Sequence, residues 1–229
     1  QVRETVIKEL ERIGIAQNVK PGQKIAITAG SRGITDITEV TKALVDFCKA
    51  YGAVPFIFPA MGSHGGGTAK GQVSLLNSIG INESSMGCPI RSSMDTVEIG
   101  QTQDGLPVFI DRYAWEADAV IVVNRIKPHT KFEGSIESGI MKMMASGMGK
   151  HTGARHCHQA SIRLGLNRVI ETVGAKVMEK LPVLCGLGLV ENGYDQLAII
   201  RALEPDDFFE GEKKLLVLAR NKMARIPFA

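Results

Sequence analysis

The feature that most constrains this chain is a set of short, apolar, strand-forming runs, each closed by a glycine-rich or polar break and alternating with stretches of helical periodicity. Lys24-Ile-Ala-Ile-Thr28, Val54-Pro-Phe-Ile-Phe58 and Ala119-Val-Ile-Val-Val123 are too short for stable helices and read as buried strands. Between the first two, residues 36–50 carry Ile37, Val40, Leu44, Val45 and Cys48 at helical spacing, which predicts a βαβ unit. Residues 2–13 predict another helix, with Val6, Ile7, Leu10 and Ile13 on one face. Residues 81–112 read as a small β excursion, with strands at 96–99 and 106–110. Helices are predicted at 136–148, 156–163, 166–180 and 206–217, and strands at 183–190 and 197–202. The expected class is α/β: a mostly parallel sheet with helices on both faces, Rossmann-like, with a small β excursion, in one domain over residues 1–229.

Composition narrows what such a domain does. The 27 basic and 24 acidic residues give a formal charge of +3, and no basic stripe is interleaved with aromatics, which argues against nucleic acid as a partner. Cys48, Cys88, Cys157 and Cys185 are widely spaced and form no CxxC pair, pointing to a reducing compartment and away from structural zinc. No apolar run is long enough to span a bilayer, and the N-terminus has no signal-like pattern, so a cytoplasmic protein without membrane contact is expected. The chain begins at Gln1, and residues 215–228 run straight to its end; both termini are expected to be cut from something longer.

All five histidines lie between His64 and His158, each in a polar or glycine-rich break. Imidazole suits proton transfer near neutrality and binding of late transition metals, so the clustering suggests a site. In an open parallel sheet, ligands collect beyond the carboxyl ends of the strands. Three loops sit at such ends: Gly30-Ser-Arg32-Gly33, Met61-Gly-Ser-His64-Gly-Gly-Gly67 and residues 124–129. Arg32, His64 and His129 are therefore expected to converge, with the planar fork of Arg32 suited to a carboxylate or phosphate. Gly65, Gly66 and Gly67 let backbone amides point together, and a helix capped by Thr68 adds partial positive charge, so an anion is the natural guest with His64 as a base beside it. Pro128 restrains Lys127 and so sets the angle of His129. Lys142, between Met141 and Met143, reads either as a buried amine of lowered pKa or as a lysine snorkelling to water. His156 and His158 are two apart and point roughly 200° away from each other on a helix. His151 and His158 share a face only if the helix continues through Gly153. Trp115 and the methionines from Met141 to Met148 read as core packing.

Three segments in order, Ala29-Gly-Ser-Arg-Gly-Ile34, Pro59-Ala-Met-Gly-Ser-His-Gly-Gly66 and Asn124-Arg-Ile-Lys-Pro-His129 with Ile136-Glu-Ser-Gly-Ile-Met-Lys142, resemble the N-terminal domain of the nickel-dependent lactate racemase family. The resemblance implies a nickel-pincer nucleotide tethered to Lys142 through a thioamide. It further implies a nickel ligand at His158 or alternatively His156, and cofactor contacts from Gly65, Gly66, Gly67 and Thr68. Arg32 would hold the substrate carboxylate, and His64 and His129 would form the acid and base pair for a 2-hydroxy acid. It also implies a C-terminal domain that completes the cleft and dedicated cofactor-synthesis enzymes as partners, leaving this fragment inactive and without cofactor alone. The setting of Arg32 differs from that in the racemases, which marks a divergent branch and leaves the hydroxy acid open. Two other readings stand beside this one. The first is a non-catalytic nucleotide- or phosphate-binding module using Arg32 and Gly65 to Gly67. The second is a divalent-metal hydrolase using His151, His156 and His158, against which the lack of neighbouring carboxylates counts.

Overall fold

A computed structural model describes residues 1–31, 33–130 and 132–223. Helix α1 (Val2–Arg12) precedes β1 (Lys24–Ala29), α2 (Ile37–Ala50), β2 (Val54–Pro59), α3 (Ala69–Ser78) and the single turn α4 (Glu83–Met86). A hairpin of β3 (Thr96–Gln101) and β4 (Pro107–Asp111) leads through α5 (Arg112–Trp115) to β5 (Ala119–Arg125). Helix α6 (Ile140–Lys142) then runs into a π-helical turn (Met143–Gly147), followed by α7 (Lys150–Leu164) and α8 (Leu166–Lys180). Strands β6 (Val183–Glu191) and β7 (Leu197–Leu203) and helix α9 (Phe208–Lys222) complete the described chain.

The main sheet has the order β2-β1-β5-β6-β7, parallel except for β7. Successive strand residues face opposite sides, and a parallel sheet covered on both sides needs both sets apolar. Ile25, Ile27 and Ile121 pack with Val6 and Leu10 of α1 and with Val40 and Leu44 of α2. Ala26, Phe58, Val120 and Val122 pack on the other face with Val169 and Val173 of α8 and with Phe208 and Leu215 of α9. The expected α/β class, with helices on both faces and a separate β excursion, is the one observed.

The chain passes from β1 outward to β2 on one side and later to β5 on the other, which makes the gap between β1 and β5 the switch point of the sheet. Their pairing runs only from Ile25↔Ala119 to Ile27↔Ile121, whereas β1 follows β2 to Ala29↔Pro59 and β5 follows β6 to Arg125↔Leu189. The two strands therefore part at their carboxyl ends. The buried Thr28 hydroxyl spans the widening gap, accepting from the Val123 amide at 2.8 Å and donating to the Val123 carbonyl at 3.3 Å.

Several expectations are corrected. The helix predicted over 136–148 starts only at Ile140, because the Glu137 carboxylate takes up the His129 and Gly134 amides and Ser138 bridges back to Lys127. Helix α7 starts at Lys150 instead of 156 and continues through Gly153. There a Cβ would meet the Phe109 carbonyl at 3.4 Å, an ordinary van der Waals contact, and the helix runs through the glycine unbroken. Trp115 is 41% exposed on the surface turn α5 and is not core, while Met141, Met143, Met144 and Met148 are buried as expected.

Replacing Thr28 with valine keeps the shape and strands two buried groups of Val123. A loss of about 1–3 kcal/mol is expected, read as a lower midpoint with an unchanged slope in urea unfolding.

Candidate functional site

The loop after β2 is shaped by its glycines. Gly65, Gly66 and Gly67 have φ of 66°, 66° and 63°, a region that side chains with a Cβ rarely adopt. Gly65 also lies so close to α3 that a Cβ would come within 2.6 Å of the Gly71 backbone. Thr68 caps α3, its hydroxyl accepting from the Gly71 amide at 3.0 Å and donating to the Gly65 carbonyl at 3.1 Å. The Gly67 and Thr68 amides close the turn on the His64 and Gly65 carbonyls. His64 is exposed, and its Nδ1 lies 2.5 Å from the Ser31 hydroxyl, which joins the β1 and β2 loops directly.

Beneath this loop is a network that the sequence did not disclose. Gln72, on α3, donates from Nε2 to the Gly62 carbonyl at 2.9 Å and the His64 carbonyl at 3.3 Å. Its Oε1 accepts from Lys150 Nζ at 3.1 Å, and the same ammonium donates to the Pro59 carbonyl at 2.5 Å. Asp111 Oδ2 completes an ion pair with Lys150 at 2.9 Å, while Oδ1 accepts from the Tyr113 and Ala114 amides. All three side chains are fully buried. Burial pushes Lys150 down and Asp111 up from their ordinary values, and each charge opposes the shift of the other. Lys150 itself has φ 54°, a conformation uncommon outside glycine, held by these contacts. The one available signal was a lysine inside a Met- and Gly-rich segment.

On the other side of β1, the loop after β5 is organised around Glu137, which is 1% exposed. It accepts from the His129 amide at 2.5 Å and the Gly134 amide at 3.1 Å, and pairs with Arg220 of α9 at 2.5 Å. The His129 ring packs 4.6 Å from Phe132. Asn124 donates to the Gly139 carbonyl at 2.7 Å, fixing the approach to α6. Lys142 is half-buried, between the two expected extremes, with buried Met141 and Met143 on either side. Glu212 of α9, wholly buried, accepts from the Met141 amide at 3.0 Å and also from that of Ile140. Burial pushes its carboxyl up to about 7, against the two amides that favour the charged form.

The segment bearing Lys142 leans on the β2 loop: the Gly62 amide donates to the Gly147 carbonyl at 3.0 Å, and Met143 reaches Gly30. On α7, His156 is half-buried, its Nδ1 2.9 Å from the Thr152 carbonyl and its ring 4.9 Å from Phe109. His158 is exposed and shares a face with His151, which lies beside Gly67. Among the described residues, no group of three or more histidines, cysteines or carboxylates could hold a metal ion. The four cysteines are free and buried, and burial pushes Cys48 and Cys185 up to about 12 and Cys157 to about 11. Arg32 lies outside the described residues. Among those residues no helix is long and apolar enough to cross a membrane.

The mostly parallel sheet, opening between β1 and β5 and followed at its carboxyl ends by the loops that carry His64 and His129, defines an α/β domain. Residues 1–167 match the lactate racemase N-terminal domain, and the chain belongs to that family. The solved lactate racemase apoprotein from Thermoanaerobacterium thermosaccharolyticum shares the fold, with a TM-score of 0.70 and 16% identity. That likeness covers 94% of this chain and 55% of the other, so the chain spans about half the length of its solved relative. No curated protein matches the sequence.

Two outcomes follow from the buried groups. Lys150→Met leaves the Asp111 carboxyl buried without its ion pair, and a loss of about 3–5 kcal/mol is expected in chemical denaturation, recovered in part by adding Asp111→Asn, which keeps the acceptor for the Tyr113 and Ala114 amides. Glu212 titrates near 4.5 unfolded and about 7 folded, so the folded state binds the extra proton between these values. Its contribution is fully present below the unfolded value and is lost as pH rises through the folded one. Relative to Glu212→Gln, the wild type should lose about 3 kcal/mol across that window in pH-dependent unfolding.

Proposed function

We propose that this domain is the catalytic N-terminal part of a racemase or epimerase that acts on a 2-hydroxy acid with a nickel-pincer nucleotide. The observation that carries the reading is the parting of β1 and β5 with His64 and His129 on loops to either side of β1. Inverting a carbinol carbon through a planar keto acid needs proton exchange at the hydroxyl from either face, and two imidazoles on separate loops suit that task near neutral pH. Ser31 holds the His64 ring at Nδ1, while Glu137 holds the backbone of His129 and Phe132 packs on its ring, so both imidazoles are placed before a ligand arrives. Arg32, three residues beyond Ala29, is assigned to the substrate carboxylate.

The residues present fit the cofactor. The described side chains offer no ready-made metal cluster, so a metal held here needs most of its donors from a ligand, as a pincer provides, and one imidazole from the protein. The same finding leaves no support for a simple hydrolase built on His151, His156 and His158. His158 is favoured over His156 as that imidazole, because His156 is pinned between Thr152 and Phe109 while His158 is exposed. Lys142 is assigned the tether. Contacts to the nucleotide phosphate fall to Gly65 and Gly66, since the Gly67 and Thr68 amides close their own turn and Thr68 caps α3. When bound, the cofactor supplies an electrophilic centre that takes and returns a hydride. A C-terminal domain is assigned the remaining contacts, and the buried unreactive thiols suit a reducing cytoplasm.

The test is to produce the protein in full, with cofactor-synthesis enzymes present, and to measure intact mass, nickel content and racemisation of a panel of 2-hydroxy acids. A Lys142 adduct with bound nickel, absent in Lys142→Arg, is expected. His64→Asn and His129→Asn should each lower turnover by about 10²–10⁴-fold with the adduct retained. Unchanged turnover in both histidine variants would defeat the acid and base assignment. Phosphate-ligand binding without adduct or turnover would mark a non-catalytic binding module instead.

A further inference from the structure

Two of the groups assigned to chemistry above are held by the same distant helix. Glu212, in the second turn of α9, accepts from the Met141 amide at 3.0 Å and faces that of Ile140, the first turn of the segment that carries Lys142. Those amides are helix-start donors with no intrahelical partner, so the carboxyl supplies what the local backbone cannot. The fit is close: a Cβ on Gly139 would stand 2.2 Å from Glu212 Oε1, a buried oxygen without a hydrogen-bond partner among the described residues. Two turns further along α9, Arg220 pairs with Glu137 at 2.5 Å, and Glu137 in turn holds the His129 amide. Phe208, Leu215, Leu216 and Ala219 bury the inner face of α9 in the same core as Ile140 and Met141, so both grips issue from a fixed base. The helix lies wholly beyond residue 167, outside the part of the chain that matches the family.

From this geometry we infer that α9 sets the position of Lys142 relative to His129, with Glu212 and Arg220 as positioning residues. This rests on the roles given above to Lys142 and His129, but the hold itself is measurable without them. Glu212→Gln replaces the carboxylate with a single, weaker neutral acceptor, and Arg220→Gln alters a half-exposed side chain, so both variants are expected to fold.

Amide hydrogen exchange resolved by residue, together with labelling of Lys142 by an amine-acylating reagent followed by peptide mass spectrometry, reads the hold directly. In Glu212→Gln, the Ile140 and Met141 amides should exchange about tenfold faster and Lys142 should label several-fold faster, without loss of thermal stability. In Arg220→Gln, His129 and Gly134 should exchange about tenfold faster with Ile140 and Met141 unchanged. A purely structural role would lower thermal stability and raise exchange throughout the core. Wild-type exchange at these amides, or acceleration spread evenly over the sheet, overturns the inference. In the cofactor-loaded protein, both variants should lower racemisation by raising KM as well as reducing kcat. If no adduct forms on Lys142 even in wild type while the exchange pattern holds, the cofactor reading fails and the positioning inference stands.

Discussion

The buried ion pair of Lys150 with Asp111, extended through Gln72, is the interaction on which the site depends. One ammonium ties together four pieces of the chain: the end of β2 through Pro59, the start of α3 through Gln72, the end of β4 through Asp111, and α7, which it begins. Taking two charges out of water costs several kcal/mol, and well-packed apolar side chains of equal volume would stabilise as much or more. What the pair contributes is direction. The ammonium has fixed acceptors, and Gln72 passes that fixation to the backbone on both sides of Ser63. A glycine-rich loop, which would otherwise sample many conformations, is thereby held in one.

Other loops and strand ends are braced on the same principle, by buried or half-buried polar side chains from elements remote in sequence. Glu191 of β6 accepts from the Thr35 amide at 2.8 Å and pairs with Arg125, and these partners hold its carboxyl below its ordinary value despite the opposing effect of burial. Thr28 ties β1 to β5 where the ladder stops. The switch point is thus an opening with a rigid rim, which is what a site needs if reacting groups are to be held before the ligand binds.

The sheet was legible because periodicity is local. Five-residue apolar runs closed by glycine-rich or polar breaks read as buried strands, and Val40, Leu44, Val45 and Cys48 fell on the inner face of α2 as their spacing required. The placement of His64 and His129 beyond strand ends followed from the same pattern. What was not legible came from long-range pairing. Nothing near Lys150 announces Asp111 or Gln72, and nothing near Glu137 announces Arg220, 83 residues away. Gly153 makes a continuous helix doubtful on propensity alone, yet α7 runs through it, packed against Phe109 of β4. The same blindness hid the loop at residues 136–139, where a carboxylate turned inward outcompetes helix propensity.

The π-helical turn from Met143 to Gly147 has a bearing on how this family could diversify. Such a turn holds one residue more than an α-helical turn, and that residue sets how far Lys142 is turned against the Gly147 carbonyl that meets the β2 loop. Deleting a single residue there would rotate Lys142 by about 100° against that anchor while leaving α7, which starts beyond Gly149, intact. A one-codon deletion would therefore re-aim the amine while every loop beyond a strand end keeps its sequence.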